Sequence, residues 1–76
     1  GAQVGFALPR ESRVRLTIHD LQGRTVVLLV DGMVPAGHHR VTWEGRVGAM
    51  WAPAGLYFVC YETPEGRLVR RLAVAH

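Results

Sequence analysis

The stretch "VRLTIHDLQGRTVVLLV", residues 14–30, decides how the rest of the chain is read. Val14, Leu16 and Ile18 alternate with Arg15, Thr17 and His19, and Arg13 extends the polar set. A period of two gives a strand one buried and one wet face. Asp20-Leu21-Gln22-Gly23-Arg24 then interrupts, and TVVLLV (25–30) follows, apolar on both faces. The interruption has two readings. Gly and Arg beside an Asp can cradle a small anion. Equally, Asp can bond its own backbone two residues on, and Gly23 can supply the positive φ of a tight hairpin. The conformational reading accounts for the Asp and the Gly without a ligand. The stretch is therefore expected to be strand, turn and strand, with Arg24 pairing with a nearby acid or carbonyl.

The same period runs outward in both directions. HRVTWE (39–44) puts Val41 and Trp43 on one side and Arg40, Thr42 and Glu44 on the other. GLYFVCYE (55–62), like TVVLLV, is apolar on both faces, and both are expected to be interior strands covered on each side. RLVRRLAVA (67–75) reads as a last strand and VGFAL (4–8) as a first one, stopped by Pro9. Turn chemistry lies between them: Pro9 to Ser12, Asp31-Gly32 through Pro35-Ala36-Gly37, and Thr63-Pro64-Glu65-Gly66. Residues 45–54 form the longest irregular piece. No window carries a capped helical stripe. Short strands at roughly eight- to twelve-residue spacing predict an all-β fold, a single antiparallel β-sandwich of six to seven short strands over residues 1–76.

Composition bounds the rest. Seventy-six residues make one domain near the lower size at which a core alone holds a fold. The single cysteine, Cys60, excludes an intrachain disulfide. All nine cationic side chains are arginines, a bias that GC-rich coding explains better than selection for guanidinium chemistry. The net charge of +3 permits attraction to an acidic surface and demonstrates none. No apolar run is long enough to span a membrane as a helix. An opening Gly1 without Met reads as a fragment or a processed product, and the end at Ala75-His76 as a C-terminus directly after the last strand.

At this point an ordered set of motifs comes together: FALP (6–9), VRLTIHDLQGRTV (14–26), PAGHHRVTWEG (35–45) and AGLYFV (54–59). The set resembles the FlgD-like immunoglobulin fold and the similar C-terminal sorting domain of type IX (Por-type) secretion. Gly23, Arg24, Gly37, Trp43, Gly55 and Tyr57 carry the likeness. His19, Glu44 and Ala54 depart from residues usual in those domains, as does Met50-Trp51 in its loop. The resemblance implies a sandwich with no chemistry of its own, carried by a secreted or cell-surface protein. It also implies that the closing segment, with Arg70 and Arg71, is read by a protein partner in the secretion machinery or by a neighbouring domain. The competing reading of those arginines is a solvated edge that discourages stray pairing.

Other chemistry has less to stand on. His38 and His39 are adjacent, so on a strand they face opposite ways, and Cys60 lies in an apolar run; no metal site and no cofactor is expected. Ser12 is the only serine and has no nucleophile motif around it. His19 and Asp20 lack a nucleophile, and Glu44, Glu62 and Glu65 imply no cleft. The reading is not an enzyme. Arg13 and Arg15 share a strand face but lack interleaved aromatics, so no nucleic-acid partner is expected. Trp51, with Met50, either folds back over an open end of the sandwich, the favoured expectation, or contacts a sugar or protein. The function expected from the sequence is a non-catalytic sorting or attachment module, extracellular or at the cell surface. The alternatives are an assembly subunit that packs with copies of itself or a neighbouring domain, and a carbohydrate-binding module using Trp51 with Tyr57 or Tyr61.

Overall fold

Val14, Leu16 and Ile18 are all fully buried, and the strand that carries them, β2 (Ser12–His19), is the centre of the molecule. A computed structural model describes residues 2–75, so the expectations attached to Gly1 and His76 lie outside the described residues. β2 pairs antiparallel with β3 (Thr25–Val34) on one side and with β7 (Gly55–Thr63) on the other. β7 in turn pairs with β8 (Gly66–Val74), giving a four-stranded sheet of order β3-β2-β7-β8. Against its inner face lies a two-stranded sheet of β1 (Ala2–Leu8) and β4 (Gly37–Trp43). The two remaining strands, β5 (Arg46–Val47) and β6 (Met50–Trp51), form a separate short ladder. Every regular element among the described residues is a strand.

The six long strands follow the order of an immunoglobulin-like sandwich. The order β3-β2-β7-β8 corresponds to C′-C-F-G, and β1-β4 to the central B-E pair of the opposite sheet. The Tyr57 hydroxyl donates to the Pro53 carbonyl at 2.6 Å, a tyrosine corner where the chain enters β7, the F strand. The partners that would flank B and E, strands A and D, are absent from the two-stranded sheet among the described residues.

The long strands are the six expected, but the total among the described residues is eight, because the 45–54 segment folds into its own small ladder. TVVLLV is not an interior strand: among the described residues β3 has β2 as its one neighbour. Register shifts between Leu16 and Thr17 and between Ile18 and His19 explain the unbroken apolar run. Each bulge adds a residue on β3 and resets the alternation, so Val26, Val27, Leu29 and Val30 all pack against the core. β3 also continues through Asp31 and Gly32, which stand opposite Arg15 and Val14 and not in a turn. Thr17, on the face of β2 expected to be wet, is 1% exposed, and its hydroxyl satisfies itself against His19 Nε2 at 2.9 Å. The core is the row of Leu16, Ile18, Trp43, Ala52, Tyr57 and Val59.

Candidate functional site

The Asp20–Arg24 corner joins β2 to β3. The Gly23 amide donates to the Asp20 carbonyl at 3.0 Å, and the Asp20 amide to the Arg24 carbonyl at 3.0 Å. Gly23 has φ 82°, while no other residue type takes a positive φ among the described residues. Leu21 and Gln22 thus keep negative φ, leaving a three-residue loop whose left-handed glycine makes the bulge. Asp20 Oδ1 accepts from the Gln22 and Arg24 amides, each at 3.0 Å, and Oδ2 accepts from Arg24 Nε at 2.9 Å. Burial acts to raise the Asp20 carboxyl, but the bonds from the Arg24 amide and guanidinium, that charge, and the Gln22 amide hold it below its usual range. The groups that would grip an anion grip each other. A hollow of roughly 520 Å³ beside the corner, floored by Leu56 and Tyr57, gains no free polar group from Asp20 or Arg24.

The 45–54 segment is pinned from the core. Trp43 Nε1 donates to the Arg46 carbonyl at 3.0 Å, Tyr57 holds Pro53 from the other end, and the two rings meet edge to face at 5.7 Å. What folds back into the interior is Ala52, 1% exposed, with its amide on the Gly45 carbonyl at 2.7 Å. Trp51 does not fold back: it is 56% exposed, and the Arg46 guanidinium lies 4.1 Å from its ring centroid. One face of the indole is thereby occupied by a cation. Gly37 and Gly55 open β4 and β7, opposite Leu8 and Val74, while Trp43 and Tyr57 stand in the core and Gly23 and Arg24 in the exposed corner.

The remaining chemistry-bearing side chains are dispersed. His38 and His39 alternate across β4; the His39 ring stacks on Phe6 at 5.4 Å and its Nε2 meets the Pro35 carbonyl at 2.7 Å. Cys60 is buried, with Arg67 Nε donating to its sulfur at 3.0 Å. Among the described residues no three His, Cys, Asp or Glu side chains converge in a way that could hold a metal ion. Arg13 and Arg15 do share a face, and Asp31 lies against both, at 2.9 and 3.8 Å. Glu65 pairs with Arg10. Among the described residues no helix is long and apolar enough to cross a membrane.

The closing strand is different. β8 pairs with β7 over nine residues without a register shift and has no second neighbour among the described residues. Through that register Leu68, Arg70 and Leu72 share the inner face with Tyr61, Val59 and Tyr57, while Arg71 lies on the outer face opposite Phe58. Four strands face two, which at strand spacing leaves about 10 Å of the larger sheet uncovered. On the β8 side this opens a groove of roughly 510 Å³, with Gln3 to Ala7 of β1 as one wall and Leu68, Arg70 and Leu72 as the other. Tyr61 forms part of the floor, where burial and then the Glu65 charge push its phenol up, keeping it a neutral hydroxyl. Among the described residues no carboxylate pairs with Arg70 or Arg71; Arg70 Nη1 reaches the neighbouring Val69 carbonyl at 3.4 Å. Sequence reasoning singled out both arginines but missed the groove, whose wall comes from a strand sixty residues away.

Comparison with protein families, with characterised proteins and with solved structures found no match to this chain.

Proposed function

We propose that this domain is a non-catalytic recognition module of an exported protein, a sorting or surface-attachment element held by a protein partner. The observation that supports the reading is the closing strand: β8 offers a regular free edge with two arginines that no carboxylate of the described residues engages. Elsewhere the polar side chains of the corner and of β2 satisfy one another. The motif resemblance supplies the export context. The test is a reporter fused to the N-terminus of the domain in a host with the outer-membrane secretion machinery. Export lost in the Arg70→Ala/Arg71→Ala double variant is expected. Retention of the wild-type fusion inside the cell sinks the reading.

A second reading, an assembly subunit, draws on Leu28 and Met33 of β3, which are 47% and 60% exposed. Light scattering across a wide concentration range separates the two, since a sorting module stays monomeric and an assembly subunit does not.

A further inference from the structure

We infer that the groove between β1 and β8 is a strand-acceptor site, and that its occupant is an extended acidic segment of a partner protein. The inference rests on the partner-binding reading above and names where and how the partner is held. β1 corresponds to strand B of the immunoglobulin pattern, and the flank of B that β4 does not cover is where strand A would pair. The free edge of β8, strand G, borders the same opening. An added strand lying there satisfies edge amides and carbonyls that otherwise bond to water, the main-chain source of affinity in β-augmentation.

Side-chain chemistry selects the occupant. Successive residues of a strand alternate in direction, so an inserted segment sends every second residue toward the sandwich interior. There it meets Phe6, Tyr61, Leu68 and Leu72, of which Leu68 is 47% exposed for want of a facing strand. At the β8 wall Arg70 and Arg71 are both exposed, and the Arg70 guanidinium turns back to the strand's own Val69 carbonyl, so the outward-pointing residues of the segment pass the two cations and a carboxylate is the group that complements them. The complementary sequence therefore alternates small apolar residues with Asp or Glu. A basic strand sets like charges together in the same place and is rejected.

The probe is a capped heptapeptide, Thr-Val-Glu-Val-Asp-Val-Thr, titrated into the nitrogen-15-labelled chain and followed by NMR, with its lysine-for-acid counterpart as control. The expected result is amide shifts confined to Gln3–Ala7 and to Leu68–Leu72, with binding about tenfold weaker for the basic peptide. Arg70→Glu is expected to reverse that preference, a gain of binding that an unfolded variant cannot mimic. Equal binding of both peptides, no binding, or shifts centred on Trp51 or the Asp20–Arg24 corner overturns the proposal. So does concentration-dependent self-association that shifts the same amides without peptide, which would make a second copy the occupant. Peptide binding is read in vitro, so its failure leaves the export assay standing, and a failed export assay leaves the peptide result standing.

Discussion

Leu16 and Leu68 stand in one row of the same sheet, linked through Tyr61, and both face inward. Leu16 is fully buried and Leu68 is 47% exposed. Residue type and sheet face are the same; what differs is the number of strands around each, since β2 has a neighbour on both sides and the opposing sheet over it, while β8 is an edge strand with the opposing sheet short of it. Over β2 the opposing sheet is present, and burial of a leucine there contributes on the order of 1.5–3 kcal/mol. Over β8 it is missing, and an apolar residue retains its contact with water. The contrast separates the covered part of the sheet, which holds the fold, from the part left uncovered.

The widest split is expected between the two leucines themselves. Leu16→Ala should lower stability by about 2–5 kcal/mol, read as a shift of the urea midpoint at unchanged slope. Equal effects at Leu16 and Leu68 would mean that β8 is covered in solution and would break the comparison. Tyr57→Phe comes next. Losing the bond to the Pro53 carbonyl should cost about 1–2 kcal/mol, and faster hydrogen exchange in residues 45–54 would localise the loss to the pinned segment. Gly23→Ala should cost about 1–2 kcal/mol, because φ 82° is strained for a residue with a Cβ although space around the site is open. Thermal unfolding monitors it, and an unchanged midpoint would mean the corner can adopt another turn.

The corner also carries a pH signature. The Asp20 carboxyl is depressed below 3.8 in the folded chain, so its contribution is present above that value and is lost as pH falls through the lower folded one. The stability gap between the wild type and Asp20→Asn should therefore be widest near neutrality and close in acid. A gap that stays constant would place the bond outside the folding balance. Smallest of all, Leu68→Ser should change stability by less than about 0.5 kcal/mol while weakening any peptide held in the groove. A large loss of stability would show that the groove is already filled by the chain itself.

Much of this could be read in the sequence where local chemistry determines it. The alternation of Val14, Leu16 and Ile18 and the Asp20-to-Arg24 turn depend on neighbours in the chain, and both took the expected form. Asp31-Gly32 was misread because its residue types suit turns. In place it extends β3, where the Asp31 carboxylate meets Arg13 and Arg15 across the strand pair. The bulges that turn the apolar run of β3 inward depend on register against β2, which a single strand's pattern does not encode. Trp51 failed for a related reason: two residues of pairing and the Arg46 guanidinium fix its ring outside the core. The two arginines could be picked out by type and position. The groove could not, because a strand's own residues do not record how many neighbours it has.

The two outer strands of the four-stranded sheet also differ as surfaces for growth. β3 carries its bulges on one rim, which twist that rim and spoil it as a template. β8 is regular from Gly66 to Val74. Two copies meeting through their β8 rims would leave only bulged β3 rims outside, so a sheet joined that way would end at the pair and would not extend as a filament.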